Sequence, residues 1–121
     1  MIKLVFCCRR KEGMTREEFQ ARRLDVHGPL VKRLREALPM MRRYVQSHTL
    51  ADTLNEALRE SRGTGEPYDG LTEVWFDDLA SMGGDGGEAA MTASQQLLED
   101  EAEFIDFAES KVFLTEEHEI F

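Results

Sequence analysis

The segment Ile2-Lys3-Leu4-Val5-Phe6-Cys7-Cys8 constrains the fold more than any other. It is a run of strand formers, ended at once by Arg9-Arg10-Lys11 and then by Gly13. Such a run reads as a strand buried on both faces, or nearly so, and both faces then need covering. The cover must come from 121 residues, which is room for one domain with one core. We therefore expect residues 1–121 to form a single domain.

Downstream, Thr15-Arg16-Glu17-Glu18 reads as a capping box and starts a helix. Phe19, Val26, Leu30 and Leu34 recur at helical spacing, with Arg and Lys on the other side. Gly28-Pro29 interrupts this helix, because proline lacks an amide donor and disfavours helical angles in the residue before it. A kink or a restart follows, with Pro29 at the first position of a second helical segment. Pro39 ends it. Residues 42–49 read as a second strand, with Tyr44, Gln46 and His48 sharing one face. Leu50, Leu54 and Leu58 mark a short amphipathic helix, closed by a Gly-rich turn at residues 61–65.

Residues 70–77 read as a third strand, with Leu71, Glu73 and Trp75 on one face and Thr72, Val74 and Phe76 on the other. An ionised glutamate in a dry helix–sheet interface is costly, so Glu73 and Trp75 belong on the face away from the helices. A helix begins at Leu79, and Gly83-Gly84-Asp85-Gly86-Gly87 is expected to be a flexible surface insertion. Helical residues 88–97 follow, then residues 99–110 with Ala102, Phe104, Ile105, Phe107 and Ala108 on an apolar side, and a last strand from Val112. Strand, helix, strand, strand, helix, strand is the α+β ferredoxin-like split β-α-β pattern, with a four-stranded antiparallel sheet. Its helices cover one sheet face. With Tyr44 and Trp75 on the open face, a second subunit packed sheet to sheet is the economical cover, and a homodimer is expected.

The net charge of −9 divides unevenly. Residues 1–46 carry 12 Lys and Arg against 5 Asp and Glu, whereas residues 47–121 carry 3 against 19. A basic half beside an acidic half points to mutual charge pairing, not to a nucleic-acid surface. No apolar run is long enough to cross a bilayer, and the N-terminus places its apolar residues before its charges, the reverse of a secretory signal. A cytoplasmic location is the expectation. Cys7 and Cys8 are adjacent and have no CxxC partner, so they read as reduced thiols, at least one of them packed as a small hydrophobe.

Four stretches together resemble the EthD family of the dimeric α+β barrel superfamily. They are His27-Gly28-Pro29-Leu30-Val31, residues 38–45 (LPMMRRYV), residues 68–77 (YDGLTEVWFD) and residues 113–118 (FLTEEH). The resemblance spans nearly the whole chain, and residues 50–65 and 83–87 look longer than the family's core pattern needs. It implies a dimeric α+β barrel whose paired sheets enclose a cavity in each half for a small organic molecule. Relatives in the superfamily include cofactor-independent isomerases, cyclases and dehydratases, and small monooxygenases.

Among side chains that carry chemistry, His27 stands first. A neutral imidazole beside a pocket takes a proton at neutral pH and returns it elsewhere; alternatively it bonds a carbonyl freed by the Gly28-Pro29 break. Tyr44 either polarises a substrate carbonyl or serves as a cavity wall. Glu73 either orients His27 or acts as a base, or else pairs with a strand arginine. His48 and Trp75 are candidate ligand contacts, Trp75 as a stacking wall. His118 has no HxxxH partner, and neither a metal nor a cofactor is expected. The reading is cofactor-independent proton transfer (isomerase, lyase or cyclase type) on a small cyclic or carbonyl compound. The alternatives are a non-catalytic carrier of a hydrophobic metabolite and a cofactor-free monooxygenase.

Overall fold

A computed structural model describes residues 1–121. Four strands, β1 (Ile2–Cys8), β2 (Arg43–His48), β3 (Gly70–Phe76) and β4 (Lys111–Glu116), form one antiparallel sheet in the order β2-β3-β1-β4. With helices after β1 and β3, this is the ferredoxin-like α+β arrangement. The run at residues 2–8 is the strand flanked by β3 and β4, as its apolar character requires.

Alternation in β3 sorts the side chains. Thr72, Val74 and Phe76 are buried beneath the helices, while Leu71, Glu73 and Trp75 point to the opposite, half-exposed face. Glu73 thus avoids the core and pairs with Lys3 at 2.7 Å. Register corrects one expectation. Tyr44 stands opposite Val74, and Arg43 stands opposite Trp75. With a period of two, Tyr44 therefore faces the helices, and Tyr44 and Trp75 lie on different faces of the sheet.

The first helix opens at the capping box, where Thr15 Oγ accepts from the Glu18 amide and Glu18 accepts from the Thr15 amide, both at 3.0 Å. It runs as α1 (Arg16–Arg22), a π-helical turn (Arg23–His27) and α2 (Gly28–Arg33). The expected restart falls at Gly28-Pro29, where α2 begins with Pro29 in its first turn, and the backbone stays helical across the junction. Gly28 keeps helical angles and donates to the Arg23 carbonyl, and the wider π turn accommodates the missing Pro29 amide. The buried stripe is accordingly Phe19, Arg23, His27 and Val31, spaced by four. Val26 is 46% exposed and does not join it.

α4 (Glu88–Glu101) packs beside this helix, and Phe104 and Ile105 beyond its end join Cys8 and Phe19 in the core. The helix thus ends earlier than the apolar side at residues 99–110 implies. α3 (Thr53–Arg62) lies outside, with Leu54 and Leu58 exposed. Every ion pair except Arg59–Glu66 joins the basic half of the chain to the acidic half. Among them Asp69, 1% exposed, takes Arg10 and Arg16. No helix is long and apolar enough to cross a membrane.

Candidate functional site

Between the sheet and the two long helical segments lies a cavity of about 130 Å³. Its walls are apolar, including Leu4, Phe6, Val74, Leu97, Phe104 and Ile105, and its polar groups are few: Arg23, His27, Tyr44, Thr72 and Glu101. The π turn supplies two of these. Five residues in one turn bring both Arg23 and His27 onto the buried side, 1% and 4% exposed. π turns recur at functional sites because they re-aim side chains in this way.

His27 Nδ1 lies 2.8 Å from Asp100 Oδ2, and the imidazole edge rests on the Phe104 ring at 5.4 Å between centroids. Arg22 bonds the other Asp100 oxygen. Burial alone would raise the Asp100 carboxyl, but the hydrogen bonds from His27 and Arg22 hold it below the ordinary range. Burial likewise pushes the His27 pKa below its usual value, against the pull of Asp100. An ionised Asp100 only accepts, so Nδ1 carries the proton and Nε2 keeps its lone pair. The result is a neutral, oriented base.

Arg23 reaches through the layer to the sheet. Nη1 donates to the Ser47 carbonyl at 2.9 Å, and Nη2 donates to the Leu71 carbonyl and, at 2.6 Å, to Thr72 Oγ1. Gly70 makes room, since a Cβ there would stand 2.4 Å from Arg23 Nη1. None of these acceptors is a carboxylate, so the charge reaches the cavity uncompensated. Tyr44 has its phenol pKa raised by burial and stays protonated at neutral pH, able to donate.

Glu101 closes α4, where the helix dipole disfavours a negative charge. Burial, with the Asp100 charge adding to it, pushes its carboxyl up to about 7. Buried histidine, a carboxyl titrating near neutrality and an unpaired guanidinium meet in one cavity, and perturbed groups of this kind cluster where chemistry is done.

The five sequence-predicted residues divide. His27 and Tyr44 line the cavity. His48 Nε2 lies 3.0 Å from Gln46 Oε1, and Gln46 in turn donates to the Arg23 carbonyl at 2.9 Å, so His48 supports the π turn from outside the cavity. Glu73 and Trp75 lie across the sheet, where Lys3 and Arg43 stack on the indole at 5.4 and 4.8 Å. Glu73 therefore does not orient His27 within the chain; Asp100 does. Sequence reading missed Asp100, Glu101 and Arg23. Their signal was positional, because Leu97, Glu101 and Phe104 follow helical spacing, as do Phe19, Arg23 and His27, placing charges within apolar stripes. No three His, Cys, Asp or Glu side chains converge to hold a metal ion.

A four-stranded antiparallel sheet in the order β2-β3-β1-β4, with helices on one face, defines a ferredoxin-like α+β protein. Residues 11–108 match the EthD domain, and the chain belongs to the EthD family. Three solved structures share the fold. An ethyl tert-butyl ether degradation (EthD) family protein from Bacillus halodurans superposes with a TM-score of 0.60 at 15% identity, covering 98% of this chain and 99% of that one. A dimeric ferredoxin-like protein of unknown function from Bacteroides fragilis gives 0.60 at 12% identity over 95% and 94%. Another dimeric ferredoxin-like protein, from Thermobifida fusca, gives 0.57 at 15% identity over 94% and 88%. No curated protein matches the chain.

The raised Glu101 pKa has a measurable consequence. Because it lies above the ordinary value of 4.5, the protonated carboxyl contributes stability that is complete below about 4.5 and is lost as pH rises through about 7. Glu101→Gln removes that loss, so its gain in Tm over the wild type is expected to be larger at pH 8 than at pH 5. Equal differences at the two pH values would show that Glu101 is not perturbed.

Proposed function

We propose that this protein is a cofactor-independent enzyme that moves a proton within a small cyclic or carbonyl compound. The observation that carries this reading is the His27–Asp100 pair at 2.8 Å, with the imidazole lining the cavity. In the reaction, His27 Nε2 takes a proton from the carbon beside a carbonyl. The electron pair moves onto the carbonyl oxygen, which the Tyr44 hydroxyl hydrogen-bonds; the imidazolium, stabilised by Asp100, returns the proton to the same carbon or, where a β,γ double bond extends the enolate, to the γ-carbon, so that the double bond shifts to the α,β position. Glu101 takes the place once assigned to Glu73 as the carboxyl near the reacting atoms. With a pKa of about 7 it exchanges protons readily at neutral pH. The Arg23 charge favours the anionic intermediate.

The active unit in this reading is a homodimer closed sheet to sheet. The outer face offers Val5, Leu71, Trp75 and Phe113 around the Lys3–Glu73 pair, too apolar a surface to leave in water. The Bacteroides and Thermobifida proteins of this fold are dimers. Phe113→Asp places a charge on that face at a position 47% exposed in the single chain, so the subunit fold tolerates it. Sedimentation velocity is expected to read twice 13.9 kDa for the wild type and 13.9 kDa for the variant. A monomeric wild type would remove the dimer from the account.

The activity is tested by deuterium incorporation from D2O into a panel of small cyclic ketones, lactones and keto acids, followed by mass spectrometry. The wild type is expected to accelerate exchange at one carbon of at least one compound. His27→Ala should lower the rate by about 10²–10⁴-fold, the usual worth of a positioned general base. Exchange equally fast in the variant would remove His27 from the chemistry. Saturable binding with no exchange would favour the carrier reading, to which the apolar cavity walls also lend themselves.

A further inference from the structure

The cavity alone is small: ligand pockets for organic molecules commonly span about 300–1,000 Å³, and this one has about 130 Å³. A groove of about 350 Å³ adjoins it between α2 and the start of β2 and shares Met41 and Tyr44 with it. Four cations, Lys32, Arg35, Arg42 and Arg43, line the groove, and no acidic residue does. In a chain of net charge −9 with 24 acidic residues, a groove free of them needs a reason.

The four cations are not equivalent. Arg42 is held by Asp77 at 2.8 Å, and Arg43 is stacked on Trp75. Lys32 and Arg35 are exposed and have no carboxylate within ion-pair distance. Complementing the dipole of α2 accounts for Lys32 in its last turn. It accounts for neither Arg35 nor the lack of acids. Inward past Tyr44, Arg23 is a further cation without a carboxylate. Cationic side chains thus line the way from the surface groove to Arg23, and within the groove no carboxylate opposes their attraction for an anion.

We propose that the ligand is a small organic anion, its carboxylate or phosphate held in the groove by Lys32 and Arg35 and its apolar end passing Met41 and Tyr44 into the cavity. The guanidinium of Arg35 suits either group, since its paired donors match two oxygens. What happens to the end inside the cavity rests on the proton-transfer reading above; the anion site does not.

The test is a titration of the ¹⁵N-labelled full chain, followed by amide shifts, with benzoate, phenyl phosphate and the uncharged isostere benzamide. Benzoate or phenyl phosphate is expected to shift Gly28, Lys32, Arg35 and Tyr44 saturably, the tighter of the two naming the anion, with benzamide at least tenfold weaker. Lys32→Gln/Arg35→Gln, at two exposed positions, should weaken the anion at least tenfold, and Lys111→Gln on β4 should not. The proposal is overturned if neither anion shifts these amides, if benzamide binds as well, or if the double variant binds as tightly as the wild type. The two readings fail separately. Anion binding without His27-dependent exchange removes only the catalytic reading, and exchange without anion binding removes only this one.

Discussion

The structure turns on a buried guanidinium. Arg23 leaves the helical layer and ties itself to carbonyls of β2 and β3 and to the Thr72 hydroxyl, crossing the space where an apolar side chain would ordinarily fill the core. Taking an arginine out of water without a carboxylate is expensive, and burial lowers its pKa accordingly. The arrangement holds because three neutral acceptors receive it and because Gly70 has no Cβ to block it. Around this pin the helix widens into a π turn, His27 swings inward one turn later, and the layers stand apart enough to leave a cavity.

The cavity then gathers choices that a stability-driven sequence would avoid. A histidine is buried, an acidic pair ends a helix, and the Arg22 Nε beside them is buried without a partner. Local rules broken together at one place support reading this cavity as the proposed site. Elsewhere the chain obeys them. The capping box closes, Asp52 and Gly63 cap α3 at its two ends, and Asp69 is met by two arginines.

Much of the fold was legible because strand alternation and capping are local. The period of two in residues 70–76 gave the faces of β3 correctly, Glu73 included. The capping box gave the helix start to the residue, and the charge asymmetry predicted pairing between the halves of the chain. What could not be read was relative placement. Whether Tyr44 and Trp75 share a face depends on β2–β3 register, which pairs Tyr44 with Val74, 30 residues away in sequence. The π turn shifts the buried stripe from Val26 to Arg23 and His27, and an apolar pattern assumes that charges lie outside. Asp100 and Glu101 were hidden by the same assumption. They look like a solvated helix end until Leu97 and Phe104 are seen to flank Glu101 on one side.

The proposed proton transfer depends on His27 being a neutral base whose Nδ1 proton is fixed by Asp100. Ring-nitrogen ¹⁵N chemical shifts of His27, followed from pH 5 to 8, test this directly. The predicted result is a neutral imidazole with the proton on Nδ1 above pH 6.5, a pKa below the ordinary 6.5, and loss of the single tautomer in Asp100→Asn. A His27 that titrates at or above 6.5, or that carries its proton on Nε2, would contradict it.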